Sequence, residues 1–432
     1  METVPERLEP RPEPLELRSV GAPVTEPVTL DEPIVRRVRR RPPRPRRRRT
    51  RLRITSRDVL YVLAIYFATR GVLLLAAYVE ASIGNHDFLH ELANWDGLWY
   101  REVANHGYLD HPSYAQTTLG FFPLFPISIW LLEPVVQIIG HDQIWAASIA
   151  GAIISGVGGA VACVYVFRLA EAWWDREVAR RAAVLFILFP GSVVFSMVYS
   201  EGLLLPLAAA CLYALERKRW LQAGVLAGLA TAVQPVGLAL IPVCAISALV
   251  ECHRQGYRLS VLRRVVAAPL LSLVGIAAFA IFLWLWTGTP LANYDAQRHG
   301  WSEKTDPLAL VHLTTTLANQ ISLSHFNEPT INLNLVVGLI GAVLLGAMLI
   351  MVGRQWRRIS VEAMIWTAGI SFLALTSEYV PPNPRMLITA FPALMAAARY
   401  ARGRWWTALV WSNAILLVGL SVLTFVGLTL RP

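Results

Sequence analysis

The stretch Asn94-Trp95-Asp96-Gly97-Leu98-Trp99-Tyr100 sets one acid among aromatics just after a long apolar run, with Asn105-His106-Gly107-Tyr108 and Phe121-Phe122-Pro123-Leu124-Phe125-Pro126 behind it. A carboxylate in that setting lies at a water-lipid boundary, where it can take a proton from a hydroxyl carried by a lipid-borne substrate. Asp96 also has a structural role compatible with that one. Asn94 or Asp96 can N-cap a short helix running to about His106, Gly107 supplying the left-handed stop and Trp95, Trp99 and Tyr100 the interface anchors. Glu201, following Tyr199-Ser200, either opens a helix or orients an acceptor or a bound cation. Glu102 and His106 lie on or near the Asp96 helix, and with Asp96 and Glu201 they can in principle hold a metal. No spacing is diagnostic, so no metal ligand is assigned and a divalent cation stays open.

The candidate cations are few. Arg385 follows Pro381-Pro382-Asn383-Pro384 and opens a short apolar run, which places a lone guanidinium at the membrane boundary. It can snorkel to head groups or grip a lipid phosphate through its bidentate fork. Arg298, His299 and Lys304, close to Trp301, are further candidates for a phosphate, or else a solvated loop face. Lys304 is one of only two lysines, the other being Lys218.

These residues need a frame. With 432 residues, 55% hydrophobic, 16% charged and a mean hydropathy of +0.48, the chain carries more apolar sequence than a soluble core can hide, and it reads as an all-α polytopic membrane protein. Apolar runs near 59–79, 145–167, 182–198, 202–215, 219–233, 236–250, 265–287, 333–353, 361–379, 386–399 and 407–429 predict about 11 spans, several of them short and hence bent or packed inside the bundle. Residues 119–140 are also apolar but contain Pro123, Pro126, Glu133 and Pro134. The basic connections at 168–181, 217–219, 253–264, 354–358 and 399–404 share the cytoplasmic side under the positive-inside rule only if 80–144 enters and leaves on one outer face. Residues 119–140 are therefore expected as a re-entrant or surface-lying helix broken by its prolines. The same parity puts Asp96, Glu201, Gln234, the loop 288–331 and Arg385 on the extracytoplasmic side, with the C-terminus there too. Polar groups gathered at one membrane face mark a site.

The formal charge of +10 belongs to a tail. Residues 36–53 hold 12 arginines and no acid, leaving 27 basic against 29 acidic groups elsewhere. Residues 1–54 are expected as a disordered cytoplasmic Arg/Pro-rich tail that sets topology and touches anionic lipid, and residues 55–432 as the multi-span domain. No aromatic platform is interleaved with the arginines, so nucleic acid is not an expected partner. Cys163, Cys211, Cys244 and Cys252 show neither a C-x-x-C pair nor metal-ligand spacing. The Arg- and Ala-rich composition points to a bacterial source with a GC-rich genome, and so to a plasma-membrane protein.

Trp95-Asp96-Gly97 with Trp99-Tyr100, Gly107-Tyr108, the Phe121 to Pro126 run, Phe189-Pro190-Gly191-Ser192 through Tyr199-Ser200-Glu201, Leu212-Tyr213-Ala214-Leu215-Glu216 with Arg219-Trp220 and Ala223-Gly224, and Arg385-Met386-Leu387 with Phe391-Pro392 together resemble the PIG-V-type mannosyltransferases. The resemblance runs from about residue 55 to 400. It implies a GT-C superfamily bundle whose first long outer loop carries the catalytic acid, here Asp96, with a polyprenyl-phosphate sugar as donor and an extracytoplasmic lipid-linked or glycolipid acceptor. Where the family commonly has a basic residue, this chain has Gln234, which weakens one phosphate contact or shifts it to Arg385. The implied reaction is inverting. Asp96 deprotonates the attacking hydroxyl while Arg385, assisted by Arg298, His299 or Lys304, stabilises charge growing on the leaving phosphate. Trp95, Trp99, Tyr108, Tyr199, Glu201, Gln234 and Trp301 would line the sugar or acceptor. A bacterial source would exclude GPI itself as the acceptor. A transporter or flippase of lipid-linked sugars is the competing class, although no internal repeat with paired broken helices is visible.

Overall fold

The structure, a computed structural model, describes residues 56–84, 87–139, 142–321, 332–378 and 380–425. The expected tail at 1–54 lies outside them, as does the 322–331 part of the second loop. The described residues belong to one compact unit. Among the described residues all regular structure is helical, save an isolated bridge between Thr305 and Ser377.

The first helix, α1 (Ser56–Gly84), buries a stripe of Val62, Tyr66, Arg70, Leu73, Ala77 and Ala81 and turns Leu60, Phe67, Val72 and Leu75 outward. An apolar outer face of this kind suits lipid, not water. The first loop holds α2 (Phe88–Leu92), α3 (Asp96–His106) and α4 (Leu124–Gln137). The central helix α5 (Gln143–Trp173) packs against α1, α3, α4, α6 (Arg176–Leu188) and α7 (Glu201–Glu216). Then come α8 (Trp220–Thr231), α9 (Leu240–Arg254), α10 (Leu259–Val265), α11 (Ala267–Ser272) and α12 (Val274–Thr287). The second loop carries α13 (Ala292–Asp295), a π-turn at Ala296–Gly300 and α14 (Ala309–Ile321). The chain closes with α15 (Leu333–Arg354), α16 (Val361–Thr376), α17 (Pro384–Thr389), α18 (Phe391–Tyr400) and α19 (Arg404–Phe425).

Five described helices are long and apolar enough to cross a membrane, and up to seven if two bent pairs each count as one span. That is fewer than the 11 runs in the sequence, because several runs are cut into short pieces. The run near 182–198 bends by 70° between α6 and a 3-10 turn at Pro190–Ser196, and that near 265–287 bends by 41°. The residues of 119–140 form a short apolar helix, α4, as expected, but Pro134 lies inside it without interrupting it. All four cysteines are buried and free.

The two ends of the bundle differ. At one, Arg176 meets Asp58 at 2.5 Å and Arg181 Nη1 donates to the Ala401 carbonyl at 3.0 Å, so the starts of α1 and α6 and the end of α18 lie together. At the other, the Val198 N–H donates to the Leu92 carbonyl at 2.9 Å and the Leu124 N–H to the Ala232 carbonyl at 2.9 Å. The basic connections at 168–181 and 399–404, which sequence parity puts on one side, meet at the first of these ends.

Candidate active site

Arg385 joins the two acids. Its Nη1 donates to Asp96 Oδ2 at 2.6 Å and its Nε to Glu201 Oε1 at 2.6 Å, while the guanidinium carbon lies 4.8 Å from the centre of the Tyr199 ring. These three charged side chains come from α3, α7 and α17. Glu201 is 3% exposed, Arg385 21% and Asp96 31%, so the array opens towards solvent on its Asp96 side. Among the described residues Nη2 of Arg385 makes no hydrogen bond and the buried Oε2 of Glu201 has no partner. Nη2, on the more exposed of these two side chains, remains available to a ligand, whereas Glu201 Oε2 is closed off from the opening.

Each member is placed by backbone. Ser155 of α5 binds the Tyr199 backbone twice, accepting from its N–H at 3.2 Å and donating to its carbonyl at 2.9 Å. Next to it Gly202 packs so closely on α5 that an added Cβ would lie 2.3 Å from Ser155 Cα. Small residues on facing helices permit this approach, and it seats Glu201 at the first position of α7. For α3, a Cβ on Gly97 would lie 3.1 Å from the Val198 carbonyl, so α3 rests on the segment leading to Tyr199. Asn383 caps α17, accepting from the Met386 N–H at 2.9 Å with Pro384 at the first helical position, and so fixes Arg385 in the first turn.

The cap expected for α3 is absent. The helix does run over Asp96–His106 with Gly107 at a positive φ of 81°, but Trp95 occupies the N-cap and its side chain does not cap the helix. Asn94 instead donates to Glu91 at 2.7 Å, and the Asp96 carboxylate is turned to Arg385. Trp95 adopts φ 60°, a conformation that strains a bulky residue by about 1–3 kcal/mol. The strain sits immediately before the acid.

The remaining candidates divide. Ser200 links Tyr100 to Gln234, its Oγ lying 2.7 Å from the Tyr100 hydroxyl and donating to Gln234 Oε1 at 2.9 Å, which places Gln234 one step from Glu201. Trp99 stacks on Phe121 with ring centres 5.9 Å apart, and Trp301 meets both rings edge-on at 5.5 Å. Tyr108 lies apart, donating to the Phe121 carbonyl at 2.9 Å and packing on Phe279 and Phe282. Glu102 and His106 pair with each other on an exposed face. Arg298, His299 and Lys304 are exposed. Among the described residues no hydrogen bond or ion pair joins these three to Asp96, Glu201 or Arg385; the His299 ring faces Tyr114 and its Nδ1 the Asp295 carbonyl.

Sequence reasoning missed Ser155, Ser200 and Tyr100 as site residues. A Tyr-Ser-Glu order was visible, but the serine's partners on α3 and before α9 have no local signal.

An apolar cavity of about 830 Å³ lies beside the site. It is bounded by Val103, Asn105 and Tyr108 of the first loop, by Trp130 of α4, by α8 and by Ala278 and Phe282 of α12. Val103 is seven residues along α3 from Asp96, about 10 Å at helical rise.

Comparisons with known proteins follow the same segments. The chain is 29% identical over 223 residues to GPI alpha-1,6-mannosyltransferase 2 of Rattus norvegicus, covering 50% of this chain and 41% of that protein. It is 31% identical over 153 residues to the protein of that name from Cricetulus griseus, covering 34% and 29%. The chain thus spans less than half the length of these relatives. Among solved structures it is similar to ArnT from Cupriavidus metallidurans bound to undecaprenyl phosphate, with a TM-score of 0.49, 14% identity and coverage of 82% and 63%. It is also similar to the Archaeoglobus fulgidus oligosaccharyltransferase in the apo form, with a TM-score of 0.46, 15% identity and coverage of 84% and 56%. The model of the family described as Mannosyltransferase (PIG-V) matches residues 66–288, which include Asp96, Glu201 and Gln234, and the chain belongs to that family of membrane glycosyltransferases.

Proposed function

We propose that this protein is an inverting glycosyltransferase that moves a mannosyl residue from a polyprenyl-phosphate donor to an extracytoplasmic lipid-linked acceptor, with Asp96 as general base. The observation that carries this reading is the Asp96–Arg385–Glu201 array, assembled from three distant segments at one end of the bundle. Glu201 anchors Arg385, and Arg385 fixes the rotamer of the one carboxylate of the pair that faces the opening. Asp96 is then held to accept the acceptor's proton as the hydroxyl attacks the anomeric carbon, while the C–O bond to the lipid phosphate breaks. Nη2 of Arg385 is available to the departing phosphate, where a fixed guanidinium needs no reorganisation as charge develops. The apolar cavity beside α3 has room for part of an isoprenoid chain, and Trp99 and Trp301 offer aromatic faces to a sugar. The anionic lipid expected at the arginine tail and the bacterial plasma-membrane location belong to the same reading.

One cation between two carboxylates leaves the array negative, so an anionic donor is repelled unless a proton or a cation enters with it. The test therefore has a chelator arm. Purified protein is given radiolabelled polyprenyl-phosphate mannose and membrane lipid extract, comparing wild type with Asp96→Asn, with and without chelator. A labelled lipid made by wild type alone supports the base. Turnover retained by a folded Asp96→Asn protein removes Asp96 from that role, and no product with any polyprenyl-phosphate sugar turns the reading to flipping of lipid-linked sugars.

A further inference from the structure

Arg70 is a cation buried in the middle of a membrane helix, and it has no acidic partner among the described residues. Its fork is used on the turn between α6 and α7. Nη1 donates to the Ser192 carbonyl and, at 3.4 Å, to Ser196 Oγ, while Nη2 donates to the Ile187 carbonyl at 3.2 Å and to Ser192 Oγ at 3.0 Å. The guanidinium carbon lies 5.3 Å from the centre of the Tyr66 ring, one helical turn away, and Tyr66 is itself tied to the Gly156 carbonyl of α5 at 2.7 Å. An arginine at the centre of a membrane helix is costly unless its donors are satisfied, and a turn whose carbonyls point into the bundle needs donors that apolar neighbours lack. Each supplies what the other needs.

The turn held in this way touches the active site twice. Its Gly191 lies against the start of α17, where an added Cβ would be 2.0 Å from the Pro384 carbonyl and 3.0 Å from the Arg385 nitrogen. Its far end runs through Met197 and Val198 to Tyr199, whose ring lies under the Arg385 guanidinium, and on to Glu201. Arg70 thus clamps the one segment that supports Arg385 both from its backbone and from its ring face.

We infer that Arg70 is a positioning residue for the Arg385 clamp: by gripping the 187–196 turn it holds Arg385 in register with Asp96 and Glu201. This rests on the reaction proposed above. Five proteins test it in lipid nanodiscs: wild type, Arg70→Met, Arg385→Lys, the double variant, and Arg70→Lys, which keeps charge but not the fork. The expected result is a kcat roughly 10- to 100-fold lower in Arg70→Met with KM within about twofold, since displacement of a clamp by about 1 Å is enough for such a loss. Arg70→Lys recovers part of it. In the Arg385→Lys background the further loss from Arg70→Met shrinks to less than about threefold, because both changes act on one array.

Full additivity of the two losses, or an Arg70→Met enzyme with wild-type kcat, overturns the inference. Amide exchange is read on the same samples and does not depend on turnover. Faster exchange at 383–389 in Arg70→Met and, to a smaller degree, in Arg70→Lys is expected, and unchanged exchange there overturns the inference even if wild type transfers no sugar. An inactive wild type with the exchange response intact counts against the reaction and leaves the clamp standing. Should Arg70→Met fail to insert, the kcat and exchange of Arg70→Lys decide.

Discussion

Gly191 and Pro384 are in contact through main chain alone: a methyl group on Gly191 would fall 2.0 Å from the Pro384 carbonyl oxygen. No side-chain rotation relieves such a clash, so either the 190–196 turn or the first turn of α17 must shift. Gly191→Ala is expected to destabilise the protein by about 1–3 kcal/mol, the usual range for overpacking, and to reduce turnover far more than that loss of folded protein explains. Thermal unfolding in detergent, read beside transfer rate per folded molecule, checks it. A stable Gly191→Ala enzyme with normal turnover would show that the turn can retreat without moving Arg385.

The two carboxylates on Arg385 are unequal. Glu201 is almost wholly buried while Asp96 faces the opening, and in the proposed reaction the first anchors Arg385 and the second does the chemistry. Glu201→Gln keeps the shape and removes the charge, so Arg385 stays near Asp96 with a weaker hold. Transfer is expected to fall roughly 100-fold, against loss to background in Asp96→Asn. Steady-state kinetics on both variants checks the ranking. The reverse order would exchange the two roles.

The second loop is stitched to the segment that leads to Arg385. The Asp306 N–H donates to the Thr376 carbonyl at 2.7 Å and the Glu378 N–H to the Lys304 carbonyl at 3.1 Å. Within this seam burial holds the Glu303 carboxyl above the usual carboxylate range, a Ser377 hydrogen bond opposing the shift and Glu378 adding to it. A carboxyl raised in the closed seam favours closure while protonated, so that contribution is complete below the ordinary carboxylate pKa and is lost as pH rises through the raised value. Exchange of the Asp306 and Glu378 amides, corrected for intrinsic rate, should therefore quicken across that window in wild type. Glu303→Gln should flatten the response and keep the seam protected at neutral pH.

How much of this could be read from sequence depends on whether the partners were local. The Asp96–His106 helix and its glycine stop follow from local chemistry, and the apolar helix within 119–140 from its hydropathy. Arg385 stood out because a proline-rich segment set it at the head of an apolar run, and Asn383 and Pro384 do cap that helix. The Arg385 pairing with both acids was not legible, since it spans 289 and 184 residues of separation. Arg70, inside the first apolar run, drew no notice in the sequence, because its partners are carbonyls and serines of a turn, which no periodicity marks. Bends are hidden for a related reason: a run continuous in hydropathy, such as 182–198, turns in the fold where the 3-10 segment Pro190–Ser196 follows α6.

The apolar cavity gives a prediction that separates chain recognition from chemistry. Ala278 lines it from α12, whereas the Asp96–Arg385–Glu201 array contributes none of its walls. If the cavity holds the isoprenoid chain of the donor, Ala278→Trp fills space the chain needs and leaves the reacting groups in place. Each displaced methylene forfeits about 0.8 kcal/mol, so two of them raise KM for a long-chain polyprenyl donor more than about tenfold. A donor with a chain too short to enter should lose nothing, and kcat should change little for either. Equal losses with both donors would mean that the substitution disturbs α3 itself, and no loss with either would place the chain elsewhere on the bundle.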